Sequence, residues 1–163
     1  MTALAISTSF YPSLATTYVR RGSGQQAQHL AEFVRRALSD LRYRESCQGT
    51  VLGLLDIFER CSKANWDGHG AKPVDRDSVR QALKFLELLP ISLSVPEVAP
   101  EPDGEIALEW FGSRDRVFSV SIGSGAELSY AGYFERGATT HGTETFNDSV
   151  PLAILQGVAR VVG

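Results

Sequence analysis

Apolar residues along the chain first follow a helical period and then an alternating one. Across residues 26–44, Leu30, Phe33, Val34, Leu38 and Leu41 fall at helical spacings, with Arg35, Arg36 and Arg42 largely off the stripe. This predicts a surface helix with one buried face. Residues 51–64 repeat the pattern with Leu54, Leu55, Phe58 and Cys61, so Cys61 is expected to pack as a small hydrophobe. A third helix is predicted from Asp75 or Asp77, either of which can cap the free N–H groups of a first turn. It carries Val79, Ala82, Leu83, Leu86 and Leu89 inward until Pro90 stops it.

Past Pro96 and Pro100 the period becomes two. Residues 105–110 alternate, with Ile106, Leu108 and Trp110 on one side and Glu105, Ala107 and Glu109 on the other. Residues 117–122 alternate again, and Gly123-Ser124-Gly125 supplies a turn before a third strand over 127–134. Residues 139–146 fit a short, polar fourth strand. An apolar helix over 150–162 closes the chain, with Pro151 tolerated in its first turn. The expected fold is therefore α+β: N-terminal helices, an antiparallel meander of three to four strands and a C-terminal helix, in two layers. Ile106, Leu108, Trp110, Phe118, Val120, Ile122, Leu128 and Tyr130 are expected on the strand face that the helices cover.

Length and composition agree with one core. The chain has 163 residues, 43% hydrophobic and 21% charged, near the globular average. Residues 1–25, which end in a polar, Gly-containing run from Arg20 to Gln25, read as an arm, and residues 26–163 as a single domain. Two cysteines, Cys47 and Cys61, are too few for a disulfide-dependent scaffold. No window approaches the roughly 18 apolar residues of a membrane span, and the first residues lack the pattern of a signal peptide. A soluble, cytoplasmic protein is expected. The net charge of −3 is unevenly placed: residues 1–50 hold six Arg and three Asp or Glu, residues 101–163 four Arg and nine Asp or Glu. The acidic half argues against a broad nucleic-acid footprint, since that needs Lys and Arg gathered on one face.

Three segments hold candidate chemistry. Asn65-Trp66-Asp67-Gly68-His69-Gly70-Ala71 lies between two helices, either as a functional loop or as a helix-ending turn. Glu101-Pro102-Asp103-Gly104-Glu105 with Glu109 places carboxylates on one strand face, as metal ligands, a solvated side or a patch for a basic partner. Tyr130-Ala131-Gly132-Tyr133 and His141-Gly142 form the third, where a histidine near its ordinary pKa of about 6.5 can shuttle protons if a carboxylate is close. No phosphate loop, nucleophile elbow, Cys-x-x-Cys pair or His-Glu-x-x-His helix is present.

Asn65-Trp66-Asp67-Gly68-His69-Gly70-Ala71-Lys72-Pro73-Val74, residues 100–110 and the pair Tyr130-Ala131-Gly132 with His141-Gly142 resemble an uncharacterised family of small bacterial proteins with NWDGxGA and PEPDGEIxLEW motifs. The resemblance spans roughly residues 51–160. Where His69 stands, such proteins often carry an aromatic residue, which argues against His69 as a catalytic group. The resemblance implies a bacterial origin and one domain, and no reaction.

The function expected from these readings is a non-enzymatic interaction module, antitoxin-like or immunity-like, with an acidic sheet face for a protein partner or a second copy. Its expected binding residues are Trp66, Asp67, Asp103, Glu105, Glu109, Tyr130 and His141, and it needs no cofactor. The alternative is a metal-assisted hydrolase or nuclease that uses Mg²⁺ or Mn²⁺ on Asp67, Asp103, Glu105, Glu109 and His141. A weaker possibility is DNA contact through Arg20, Arg21, Arg35, Arg36, Arg42 and Arg44. Both readings of the carboxylates expect the 65–71 loop and the 101–109 segment to share one surface, with Trp66 and Trp110 as apolar walls of a cleft.

Overall fold

Alternation of buried and open positions organises the strands of the computed structural model, which describes residues 45–112 and 115–163. The arm expected over 1–25, the helix expected over 26–44 and the six N-terminal arginines lie outside the described residues. The elements are α1 (Glu45–Arg60), α2 (Arg76–Leu88), β1 (Glu97–Pro100), β2 (Ile106–Phe111), β3 (Val117–Ile122), β4 (Glu127–Phe134), a 3₁₀ turn (Glu135–Gly137), β5 (Ala138–Thr145) and α3 (Leu152–Val162). The five strands pair in chain order as an antiparallel meander, β1-β2-β3-β4-β5.

The α+β class is as the pattern predicts, with one strand more than expected. β1 is the addition. Its sequence, Glu-Val-Ala-Pro, is short, follows Pro96 and ends in Pro100, but an edge strand tolerates a residue that cannot donate to a ladder. Register places Val98 opposite Leu108, and Leu108 opposite Val120, so one face runs as a continuous apolar layer. Ile106, Leu108, Trp110, Phe118, Val120, Ile122 and Leu128 are all buried on that inner face. Tyr130 belongs to the same face by register with Val120 yet is half-buried, because β4 and β5 run toward the sheet margin.

All three described helices cover the inner face. α1 approaches β1 at Gly53, where a Cβ would come within 2.9 Å of Val98. α2 sends Phe85 against Trp110, ring centroids 6.4 Å apart, and Phe85 also meets Phe146 at 5.5 Å. α3 crosses at Gly157, where a Cβ would lie 2.2 Å from the ring of Phe118. The aromatic series continues from Trp110 to Phe118 and on to Tyr130. Each tilted or stacked pair adds to simple area burial. The Trp110 indole N–H donates to the carbonyl of Ser94 at 2.8 Å, so the largest buried side chain keeps its polar atom paired.

Helix boundaries shift from those expected. α2 starts as predicted, with the Asp75 carboxylate accepting from the Asp77 N–H at 2.7 Å, and buries Val79, Ala82, Leu83 and Leu86. α1 starts earlier and ends at Arg60, and its most buried line is Cys47, Val51, Leu54 and Ile57, with Cys61 just beyond. Leu55 and Phe58, expected on that line, are half-buried. Cys61 packs as a small hydrophobe, and its thiol pKa is pushed up by burial. No helix among the described residues is long and apolar enough to cross a membrane.

Candidate functional site

Two turns meet at one end of the sheet. The first follows α1 and turns back on itself. The Asn65 N–H donates to the carbonyl of Ala71 at 2.7 Å, and the Asn65 side-chain oxygen accepts from the Gly70 N–H at 2.8 Å. Asn65 itself has φ 60°, which asparagine tolerates better than most side chains. The Asp67 carboxylate accepts from the N–H groups of His69 (2.8 Å) and Ala71 (3.1 Å), and these amides hold its pKa below the usual carboxylate range. The Trp66 indole N–H donates to the carbonyl of Lys72 at 2.8 Å. The distinctive residues of this loop thus build its own path.

The second turn is the β1–β2 hairpin loop. The Gly104 N–H donates to the carbonyl of Glu101, the Glu101 N–H to the carbonyl of Glu105, and the Asp103 carboxylate accepts from the Glu105 N–H. Gly104 has φ 95°, so Pro102-Asp103-Gly104 forms a three-residue hairpin loop with glycine at the left-handed position. Glycine is needed there for a second reason. A Cβ on Gly104 would fall 2.7 Å from the carbonyl oxygen of Pro73.

The loop and the hairpin are joined by backbone. The Lys72 N–H donates to the carbonyl of Pro102 at 2.7 Å and the Asp75 N–H to the carbonyl of Gly104 at 2.9 Å. The surface expected from sequence is therefore present as a docked pair of turns, but its contents differ. Trp110 is not a wall of it, because even-numbered positions of β2 face the helices and Trp110 is buried among them. Glu101, Asp103 and Glu105 lie together, each offering an oxygen within 4.8 Å of the others. Glu101 also accepts a short hydrogen bond from the Ser121 hydroxyl. The Glu105 carboxylate lies over Gly123, where a Cβ would come within 2.6 Å of its Oε1. Burial, then the charges of Asp103 and Glu101, push the Glu105 pKa above the usual carboxylate range.

The remaining predicted residues are dispersed. Glu109 and His141 stand on the same sheet face and in the same lateral row, but Ser119 and Ala131 intervene. Three strand spacings separate them by about 14 Å. Tyr130 and His141 face opposite sides, since His141 pairs with Ala131 while Tyr130 pairs with Gly142. The Tyr130 ring stacks on Phe118 at 5.7 Å in the helix-covered layer. Tyr130 and His141, expected together in the third segment, are therefore not brought to one surface.

Sequence reading missed Glu97 and Glu127, and it named Glu101 in the carboxylate segment without making it a binding residue. Register puts Glu101, Glu105, Gly123, Glu127 and Thr145 along the first row of the outer face, and Glu97, Glu109, Ser119, Ala131 and His141 along the third. The Pro-Asp-Gly turn was the signal that would have found β1, and with it Glu97 opposite Glu109. Among the described strand residues, no Lys or Arg occupies this face. At its far end Phe111 and Tyr133, 54% and 44% exposed, flank Val117. The chain matches no protein-family profile, no curated protein and no solved structure.

Proposed function

We propose that this chain is a non-enzymatic protein-interaction module of the bacterial cytoplasm, antitoxin-like or immunity-like in kind, that binds a basic protein partner through its outer sheet face. One observation carries the reading: every described helix packs on the inner face, and the opposite face carries five glutamates and no Lys or Arg on its described strands and their hairpin. Such a face steers a basic partner and rejects an acidic one. The apolar strip of Phe111, Val117 and Tyr133 supplies area that is removed from water on contact. Charge at one end and aromatic area at the other give the partner an orientation.

The test is co-purification of the full chain from its own cell type, followed by the same experiment on Glu105→Lys, Glu109→Lys protein. A stoichiometric basic partner retained by the parent and lost by the variant supports the reading. A chain that stays monomeric and recovers no stoichiometric partner overturns it.

The grouping of Glu101, Asp103 and Glu105 favours a second reading, a divalent-cation site for hydrolysis, because hard cations take carboxylate oxygens. That reading loses three members of its set, since Glu109 stands two rows along the outer face from Glu105. Asp67 is bonded to its own loop and His141 lies across the sheet on β5. Titration with Mg²⁺ or Mn²⁺ decides it: binding abolished by Glu101→Gln, Asp103→Asn supports the site, and the absence of saturable binding removes it.

A further inference from the structure

We propose that the outer edge of β5 (Ala138–Thr145) pairs antiparallel with the same edge of a second copy of this chain, joining two sheets across a two-fold axis. The two edges of the sheet are finished differently. β1 has four residues, ends in Pro100 and follows Pro96, whose carbonyl accepts from the Thr50 hydroxyl at 3.0 Å. Such an edge resists further pairing. β5 has eight residues in unbroken register with β4, and four of them are threonine, which favours strands. It contains no Pro or Lys, and among the described residues no strand pairs with its other side.

Which main-chain groups face outward follows from the ladder. The Phe146 N–H donates to the carbonyl of Ala126 at 2.6 Å, so these two residues, the next step of the β4–β5 register, are a hydrogen-bonded pair. Hydrogen-bonded and non-bonded pairs alternate along an antiparallel ladder. Ala138, Thr140, Gly142 and Glu144 therefore exchange bonds with β4, and Thr139, His141, Thr143 and Thr145 turn their N–H and C=O groups away from it. α3 packs mainly on β2, β3 and β4, inside this edge.

One register satisfies the whole row. With the two-fold axis at Gly142, Thr139 meets Thr145 of the second copy and His141 meets its Thr143, so each outward residue exchanges both main-chain bonds with a partner. An axis at His141 or Thr143 leaves an end of the row unpaired, and the first also sets two imidazoles opposite each other. On the inner face the axis at Gly142 puts Glu144 opposite Thr140 of the second copy, a hydroxyl that can donate to it, and keeps the two glutamates apart. Gly142 stands opposite Gly142 there. The Tyr130 ring covers it, since a Cβ at 142 would lie 2.8 Å from the Tyr130 Oη, and an aromatic ring over a strand glycine supports its pairing. The contact runs in the plane of the sheet, so it stands independently of the acidic outer face. A single strand pair falls below the roughly 1,000 Å² of a lasting interface, and the dimer is a reversible one.

The experiment is sedimentation equilibrium of the full chain at rising concentration, with amide hydrogen exchange followed by nuclear magnetic resonance. A monomer–dimer equilibrium is expected, with the amides of Thr139, His141, Thr143 and Thr145 exchanging freely in dilute protein and slowing as the dimer forms. Thr143→Pro removes one outward N–H, leaves the β4 ladder its bonds and should abolish the dimer. Position 140 reads the register and keeps the test independent of how that variant folds. Thr140→Glu, set against Glu144 of the second copy, should weaken association about two- to thirtyfold, and Thr140→Lys should tighten it by as much, because the dimer holds the pair twice. A chain that stays monomeric at every concentration, a dimer untouched by Thr143→Pro, or position-140 variants that move association in one direction would each overturn the pairing. So would slow exchange of the same amides in the dilute monomer, which would give the edge to another segment of the same chain.

Discussion

Glu105 and Asp67 are two carboxylates of one docked pair of turns, displaced in opposite directions by their surroundings. The Asp67 carboxylate accepts two amides and is held low, so its contribution to stability is present above the unfolded pKa and is lost as pH falls through the folded one. Replacing it by Ala should lower the melting temperature at neutral pH. Asn, which keeps an acceptor oxygen, should lower it less, and equal losses would mean that the amide bonds contribute nothing. Glu105 is held high by burial and by Asp103 and Glu101, so folding favours its protonated form and disfavours its charge. The stability it contributes is present in acid and is lost as pH rises through the folded pKa. Glu105→Gln should therefore stabilise the protein at pH 7 by about 0.5 kcal/mol, the scale of a partly exposed charge interaction, with the gain disappearing below pH 4. Thermal melts of the two proteins across that range check the sign. At this scale much of the loop was legible as residue types and little of it as roles. Asp67 was legible both as a candidate acid and, in the helix-ending turn, as an acceptor for nearby backbone N–H groups, and the fold takes the second course by committing its oxygen to His69 and Ala71.

Among the elements, periodic segments were legible and closures were not. Alternation over 117–122 and the Asp75 cap state β3 and the start of α2 directly. β1 carries no alternation long enough to read, and what identifies it is the pairing partner that Pro-Asp-Gly folds back onto it. The same non-locality decides the effect of mutations. Ala in place of a helix-interior glycine ordinarily stabilises by about 1 kcal/mol. In α3 the opposite is expected of Gly157→Ala, whose Cβ would come within 2.2 Å of the Phe118 ring, and the strain should cost about 1 to 3 kcal/mol. Denaturant melts settle it, and a gain in stability would show that α3 can lift from the sheet freely. Leu108→Ala, at the centre of the inner face between Val98 and Val120, should cost on the order of 2 to 5 kcal/mol through lost burial and a residual cavity. A cost under about 0.5 kcal/mol, the range of surface substitutions, would contradict the register.

For the two-layer unit described here, helices on one face leave a sheet surface that needs a reason to be acidic. Glu97 and Glu109 are direct cross-strand partners on it, an arrangement in which like charges destabilise. A face shaped by folding alone would place opposite charges there, whereas a face shaped to meet a basic partner keeps both carboxylates at the expense of stability. The two cases differ in one variant. Glu97→Lys turns the repulsive pair into an attractive one, so the isolated protein should gain about 0.2 to 1 kcal/mol. If the face serves a basic partner, the same change should weaken that complex, and the loss should shrink as salt rises toward 1 M, where exposed charges are screened beyond about 3 Å. Melting temperature and affinity would then move in opposite directions, which no purely structural role produces. A variant that gains stability and binds its partner as tightly as before would show that the carboxylates are a solvated margin of the sheet. Weaker binding together with lower stability would point to a disturbed β1–β2 hairpin, and a far-ultraviolet spectrum unchanged from the parent separates that outcome from a true loss of contact.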